Sequence, residues 1–187
     1  MNDLPPGLDS PLAAQACFRA ILSAFSTPGK IVTLPVELTP PSCFSPAAAS
    51  VLLTLVDAAT GVALPGAEAA QDWLVFHTGA RIVPLAQANF CATGERPPLV
   101  TLLQGTDEAP ENGATLILDC TALNAGPRFR LFGPGLEHPI LAPLPLDAAF
   151  VAEWQVQTRT APRGVDILLC SGQDILALPR SLQIEEA

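Results

Sequence analysis

The chain has 187 residues, of which 49% are hydrophobic, and its formal net charge is −9. A chain of this length buries roughly 70% of its unfolded surface, which is enough for one domain. We expect that domain over residues 1–187, with an ordered core at about 9–182 and short flexible termini. The acidic charge argues against nucleic-acid binding. The sequence also predicts a cytoplasmic protein with no membrane partner, because it shows neither a secretory signal nor an apolar run of ~18 residues.

The first third of the chain has two helix patterns and one short strand. Ser10-Pro11 is a helix N-cap followed by proline at the first helical position. Apolar residues then recur on one helical face, at Phe18, Ile21, Leu22 and Phe25. Lys30–Leu34 is predicted as a strand at a sheet edge, because proline follows it. Ser45-Pro46 begins a second helix over Ala47–Val56, which is apolar almost all round and should be buried.

The middle of the chain alternates short apolar runs with turns. Leu74–His77 and Asn89–Ala92 are predicted as strands on either side of a connection at Gly79–Ala88. Pro98–Gln104 is predicted as a brief helix. Ala114–Leu118 is a continuous apolar run after a Pro-Glu-Asn-Gly turn, a pattern typical of a buried strand.

The last third has one alternating strand, one helix and a hairpin. Arg128–Phe132 places its arginines on one face and its apolar residues on the other. Leu146–Gln157 has the pattern of a helix. Val165–Cys170 and Ile175–Leu178 are predicted as paired strands, since the residues between them are turn residues. Central apolar strands interleaved with helices predict the α/β class, as a three-layer α/β/α sandwich with a mixed sheet.

Two arginines flank the predicted hairpin. Arg163 precedes its first strand and Arg180 follows its second, so an antiparallel pairing brings both to the same edge of the core. Guanidinium groups bind carboxylate or phosphate in a planar, bidentate geometry. The pair could form an anion site, form an interface with an acidic partner, or make local ion pairs with Asp166 or Glu137.

Four further residues are candidates for binding. His77 could hydrogen-bond an anion or could be a structural histidine with satisfied partners. Arg128 and Arg130 could form a two-pronged anion site or simply a solvated strand face. Asp57 follows a helix C-terminus, where the helix dipole disfavours a carboxylate, so either a specific hydrogen bond or exposure is expected there.

The motifs of several common active sites are missing from the sequence. Lys30 is the single lysine and follows a Pro-Gly turn, which disfavours Schiff-base chemistry. His77 and His138 are far apart and have no cysteine near them, so no zinc pattern is present. The five cysteines are widely spaced, which is typical of free thiols. We therefore predict no metal and no cofactor, and no catalytic residue can be named.

An ordered set of short motifs resembles a known family. The motifs are Phe18-Arg19 through Ala24-Phe25-Ser26-Thr27-Pro28-Gly29, Ser50-Val51-Leu52-Leu53-Thr54-Leu55-Val56-Asp57, Phe76-His77-Thr78, Pro110-Glu111 with Gly113-Ala114-Thr115-Leu116-Ile117-Leu118, Arg130-Leu131 with Gly133 and Gly135, and Pro162 with Gly164-Val165-Asp166 through Leu176-Ala177-Leu178-Pro179-Arg180. In this order and spacing they are similar to the H subunit family of the bacterial carbon–phosphorus lyase machinery. The resemblance runs from about residue 15 to residue 181.

The resemblance implies a role in the breakdown of organic phosphonates. It implies a core complex with the G, I and J subunits, in which adenine is displaced from ATP and the phosphonate is attached at ribose C1, giving a ribose 1-phosphonate 5-triphosphate. It also implies a fold like the large domain of pyridoxal-phosphate transferases without that cofactor, and a homodimer when the subunit is isolated. ATP or phosphonate could contact this chain within the complex.

Two functions follow from these observations. The first is a mainly structural subunit of the phosphonate complex, which contributes to formation of the ribose triphosphate product. The second is an independent small-molecule or nucleotide-binding enzyme that uses His77 and the surface arginines.

Overall fold

The computed structural model describes residues 4–187. Its four helices are α1 (Pro11–Ser26), α2 (Pro46–Leu55), α3 (Gln71–Thr78) and α4 (Ala148–Thr158). Its strands are β1 (Val32–Thr33), β2 (Gly61–Ala63), β3 (Arg81–Ile82), β4 (Phe90–Thr93), β5 (Thr115–Asp119), β6 (Arg128–Phe132), β7 (Ile140–Pro143), β8 (Asp166–Ser171), β9 (Asp174–Leu178) and β10 (Gln183–Glu186). Short 3₁₀ turns lie at Glu68–Ala70, Leu85–Gln87, Leu99–Thr101 and Pro110–Asn112.

The larger sheet is mixed and has seven strands in the order β1-β9-β8-β5-β4-β2-β3. Strands β3, β2, β4, β5 and β8 run parallel, whereas β9 is antiparallel to β8 and to β1. The predicted hairpin is confirmed, with Ile167 opposite Leu178 and Ser171 opposite Asp174. The edge position predicted for Lys30–Leu34 is also confirmed, because β1 ends the sheet on that side.

A second, antiparallel sheet has three strands in the order β10-β6-β7. The alternation in β6 is confirmed, since Phe129 and Leu131 are buried and Arg128 and Arg130 are exposed. Its buried face joins α4 in covering one side of the large sheet, in a core that includes Phe150. Helices α1, α2 and α3 cover the opposite side in a separate core. The mixed sheet and the α/β class are confirmed, but one covering layer combines a helix with a small sheet.

Side-chain caps begin three of the helices. The hydroxyls of Ser10 and Ser45 each accept a hydrogen bond at 3.2 Å from the backbone N–H three residues later, as the sequence predicts. Asp147 does the same for α4, with a distance of 2.8 Å to the N–H of Phe150. Caps of this kind satisfy backbone donors that the helix itself leaves without partners. These local contacts explain why the helix starts were predictable.

The predicted strand at Leu74–His77 is wrong, because these residues belong to α3. A short apolar run cannot be assigned to a strand or a helix by periodicity alone. Gly79 ends the helix in the left-handed conformation at φ 71°, which is a common helix C-terminal signal. The connection after it contains the short strand β3, and the predicted helix at Pro98–Gln104 is a 3₁₀ turn at Leu99–Thr101.

The buried face of α1 differs from the predicted one. Cys17, Ile21 and Ala24 are buried, whereas Phe18 is 44% exposed and Leu22 is 52% exposed. At 3.6 residues per turn the two faces are offset by about 80° around the helix axis. The small residues of α1 face the core, since α1 packs against α2 and β9.

Candidate functional site

Arg163 and Arg180 lie at the same edge of the large sheet, as the antiparallel hairpin requires. The residues before β8 and after β9 both lie where the parallel strands begin, which we call the amino edge. The segments that contain Asp57 and His77 precede β2 and β3, so they also lead into the amino edge. In open α/β sheets, ligands bind instead at the carboxyl ends of the parallel strands. The predicted residues are therefore on the less favourable side for a small-molecule site.

Arg180 is fully engaged within the protein. Its Nε and one terminal nitrogen donate to the same carboxylate oxygen of Asp166, at 3.0 and 2.5 Å, and the other terminal nitrogen donates to the carbonyl of Pro110. The second oxygen of Asp166 accepts from the backbone N–H of Arg180 at 2.7 Å. Both side chains are about one-fifth exposed, at 19% and 20%. The ion pair with Asp166 that the sequence allowed is present, and it joins the end of β9 to the start of β8.

Arg163 is much more exposed. Its Nε lies 3.1 Å from a carboxylate oxygen of Asp107, and the two side chains are 43% and 68% exposed. An exposed ion pair of this kind contributes about 0–1 kcal/mol to stability. Arg163 can therefore exchange this partner for another carboxylate at little cost.

His77 lies in α3 and is part of a contact with the N-terminal segment. Its Nε2 is 3.0 Å from the carbonyl oxygen of Pro5, which also accepts a hydrogen bond from the indole N–H of Trp73 at 2.9 Å. A carbonyl only accepts, so Nε2 carries the proton. A Cβ on Gly7 would approach the Nδ1 of His77 to 2.7 Å, so the segment passes directly over the ring. These contacts match the structural alternative for this histidine.

Asp57 organises the turn that follows α2. One of its carboxylate oxygens accepts from the Thr60 hydroxyl at 2.6 Å and from the Ala59 N–H at 2.9 Å. The hydrogen bond from the Thr60 side chain, followed by that from Ala59, lowers the pKa of the Asp57 carboxyl. The carboxylate therefore has both the specific hydrogen bonds and the exposure that the sequence suggested.

Arg128 and Arg130 project from the exposed face of β6, apart from the other candidates. Arg130 lies 3.1 Å from Glu185 on the neighbouring strand, and its guanidinium carbon is 5.1 Å from the centroid of the Phe132 ring. Its side chain is about half exposed, at 49%. This arrangement fits the solvated strand face better than a two-pronged anion site.

The carboxyl edge of the sheet contains a residue that sequence analysis missed. Strand β2 lies between β3 and β4, so the chain changes direction there, and a cavity of about 410 Å³ is lined by residues 65–66 and 93–97. Arg96 lines this cavity but is bound to Glu153 at 3.0 Å and to Asp147 at 3.6 Å. In the sequence, Gly94 is the feature that could have indicated a site here, because it immediately follows a parallel strand.

The N-terminus of helix α2 is a second place at this edge where an anion could bind, and a carboxylate of the protein itself is bound there. The N-terminus of α2 points its backbone donors toward the end of β5, and the N–H of Ser45 donates to the carboxylate of Asp119 at 2.5 Å. Helix N-termini attract anions through such N–H groups and the helix dipole. Here, as at Arg96, the carboxylate comes from the chain itself.

Most of the chain is similar to a known protein family. Residues 6–185 match the model of the family described as "Bacterial phosphonate metabolism protein (PhnH)". The chain belongs to the PhnH family. A relative from Rhizobium meliloti (strain 1021), "Alpha-D-ribose 1-methylphosphonate 5-triphosphate synthase subunit PhnH", is 32% identical over 95% of this chain and 92% of its own length. A second, "Putative C-P lyase subunit protein HtxG" from Stutzerimonas stutzeri, is 34% identical over 91% of this chain and 85% of its own.

The PhnH match extends from before α1 into the last strand, so it includes the predicted candidates and the Arg96 cluster. Among residues 4–187, no group of three or more His, Cys, Asp or Glu side chains is arranged to hold a metal ion. Within the same described range, no helix is long and apolar enough to cross a membrane.

Three of the five cysteines, Cys17, Cys91 and Cys170, are buried, whereas Cys120 is partly buried and Cys43 is exposed. Burial raises the pKa of Cys91 to about 12 and that of Cys120 to about 11. It also raises the pKa of Cys170 well above the ordinary value, and the charge of Asp119 adds to the effect. A thiol is nucleophilic as its thiolate, so these environments disfavour catalysis by cysteine.

Proposed function

We propose that this chain is a subunit of the carbon–phosphorus lyase core complex in organic phosphonate catabolism and that its role is mainly structural. The observation that carries the proposal is the match of residues 6–185 to the PhnH family, together with relatives named as subunits. Within the complex, the chain contributes to transfer of a phosphonate onto C1 of the ATP ribose with release of adenine. The partners are the G, I and J subunits, in the cytoplasm.

The charge pairing of the described residues supports a structural role. Arg180 and Arg96 are bound to the carboxylates of Asp166 and Glu153, and the α2 N-terminus is bound to that of Asp119. A group that must bind a phosphonate or a triphosphate needs its donors available to the ligand. In this chain the best-placed donors already stabilise the fold.

The exposed arginines support contacts with acidic partners. Arg128 is exposed and Arg163 forms only a weak surface pair. We propose that these two side chains contact other subunits, and that Arg130, Arg180, His77 and Asp57 keep the local structure in which they are found. ATP or phosphonate then contacts this chain only where a partner completes the site.

We also propose the domain organisation, the fold relationship and the oligomeric state of the chain. One domain is supported by β1 and β9, which pair across the chain from Val32 to Ile175. A relationship to the large domain of pyridoxal-phosphate transferases without the cofactor is consistent with the single lysine, Lys30, being exposed. In the absence of its partners the chain forms a homodimer.

Size-exclusion chromatography of the chain with the G, I and J subunits tests the assembly role. The proposal predicts that the chain elutes as a homodimer alone and joins the larger species when the other subunits are present. Failure to co-elute at any mixing ratio would overturn it.

Calorimetry of the isolated chain with ATP or methylphosphonate tests the alternative of an independent enzyme. Micromolar binding corresponds to about 8 kcal/mol and would be readily detected. We expect no measurable heat, since the ring of His77 and the fork of Arg180 are already bonded within the chain.

A further inference from the structure

A cavity of about 390 Å³ lies between the 3₁₀ turn Leu99–Thr101 and helix α4. Val100 and Val156 line it from the two sides, and its walls are predominantly apolar. Arg163, which precedes β8 at the amino edge of the sheet, also lines the cavity. This cavity is separate from the cavity that Arg96 lines at the carboxyl edge.

Polar side chains in the walls of the cavity are already used by the fold. The Gln157 amide accepts from the N–H of Val165 at 2.8 Å and donates to its carbonyl at 3.0 Å. Glu153 accepts from Arg96 at 3.0 Å and from the N–H of Leu99 at 2.7 Å. Of the two charged side chains that line the cavity, Glu153 and Arg163, it is Arg163, in its weak surface pair, that is available to pair with a charge on an incoming group.

The exposure of the cavity walls indicates what kind of occupant the cavity fits. Val100 is 82% exposed and Val156 is 62% exposed, so the two apolar walls continue outward onto the surface. Sites for small molecules bury 70–90% of the ligand surface, which walls of this kind do not do. A protein surface that inserts a side chain would instead cover both valines together with the cavity.

We propose that this cavity docks an apolar side chain of another subunit of the complex, with an acidic residue beside it that pairs with Arg163. The local charge supports an acidic neighbour, because Arg163 is an exposed cation whose pair with the exposed Asp107 is weak, so that a carboxylate on the incoming surface can take the place of Asp107. This inference rests on the proposed function, since it specifies where the chain meets its partners. It assigns the contact to the α4 side of the molecule, opposite the helices α1–α3.

The test measures the affinity of full-length variants for the co-expressed G, I and J subunits. We expect Val156→Asp and Arg163→Glu each to weaken binding at least tenfold. The matched control is Leu141→Asp on β7, a 59% exposed apolar residue outside the cavity, which should change the affinity less than twofold. Because Val156 and Arg163 are exposed, thermal unfolding of their variants should match the wild type.

The variant Asp107→Asn distinguishes a contact of Arg163 with a partner subunit from its local contact with Asp107. This variant removes the present ion-pair partner of Arg163, so binding to the other subunits should be unchanged or tighter. The affinity of the wild type should fall as salt is raised, and that dependence should be smaller in Arg163→Glu. Weaker binding by Asp107→Asn would contradict the proposal.

The outcomes distinguish this inference from the function on which it rests. If the wild-type chain does not bind the other subunits, the proposed function fails and the docking site fails with it. If the wild type binds but Val156→Asp and Arg163→Glu bind equally well, only the docking site is wrong. Heat from ATP or methylphosphonate that Val156→Asp abolishes would identify the cavity as a ligand site and would also overturn the proposal.

Discussion

Replacing Arg180 with methionine should strongly destabilise the fold. The change removes two hydrogen bonds to the Asp166 carboxylate and one to the Pro110 carbonyl, in a region where both charged side chains are about one-fifth exposed. Breaking a fully buried pair costs about 3–5 kcal/mol, and partial exposure reduces that cost. We therefore expect a loss of about 3 kcal/mol, which lowers the melting temperature by about 6–12 °C for a chain of this size.

Equilibrium unfolding in urea measures this loss directly. Arg163→Met is the matched control, because its ion pair with Asp107 is exposed and should contribute less than about 1 kcal/mol. A double-mutant cycle with Asp166→Asn should show coupling, since the two side chains share their hydrogen bonds. If Arg180→Met costs no more than Arg163→Met, the structural role assigned to Arg180 is wrong.

Three further outcomes are expected. Gln157→Leu should cost about 3 kcal/mol in urea unfolding, because it leaves a buried N–H and carbonyl without partners; a loss below about 1 kcal/mol would contradict this. Gly113→Ala should lower the melting temperature more than Gly94→Ala. A Cβ at position 113 would collide with the backbone oxygen of Gly164, whereas the atom nearest to a Cβ at position 94 is 3.9 Å away. Equal melting temperatures of the two variants would contradict this. The thiol of Cys43, which is exposed, should react with a thiol reagent before the buried thiol of Cys91. Burial raises the pKa of both thiols, so the reactive thiolate of each, and with it the rate of labelling, should increase as the pH rises. Prompt labelling of Cys91 would contradict the fold.

The elements that were predictable from the sequence are those determined by local chemistry. Ser10 and Ser45 cap helices through hydrogen bonds within three residues, so the signal and the structure lie in the same short segment. The turn between β8 and β9 and the alternation of β6 are equally local. Each depends on neighbours along the chain and not on how the layers pack.

The errors occurred where packing between layers decides the structure. The apolar run at Leu74–His77 contains no periodicity that separates a strand from a helix, and its helical state depends on Trp73 and Leu74 packing against α2. The buried face of α1 is set by contact with α2 and β9, which favours small residues such as Ala24. Neither constraint can be read from the segment alone.

In the candidate site, too, contacts that follow from local strand pairing were predictable and contacts between distant parts of the chain were not. Antiparallel pairing correctly placed Arg163 and Arg180 at one edge, and Asp166 was among the partners considered for them. Arg96 was missed because its importance comes from Glu153, which is 57 residues away in the chain. Its position became evident only from the strand order, which sets β4 beside β2.

The central claim is that the chain supports a complex without carrying a complete active site of its own. The most direct test is adenine release from ATP and methylphosphonate by the G, I and J subunits, measured with and without this chain. We predict that the chain alone releases no adenine, that the other subunits are impaired without it, and that adding it restores the activity. Full activity of the other subunits without this chain, or adenine release by the chain alone, would contradict the account.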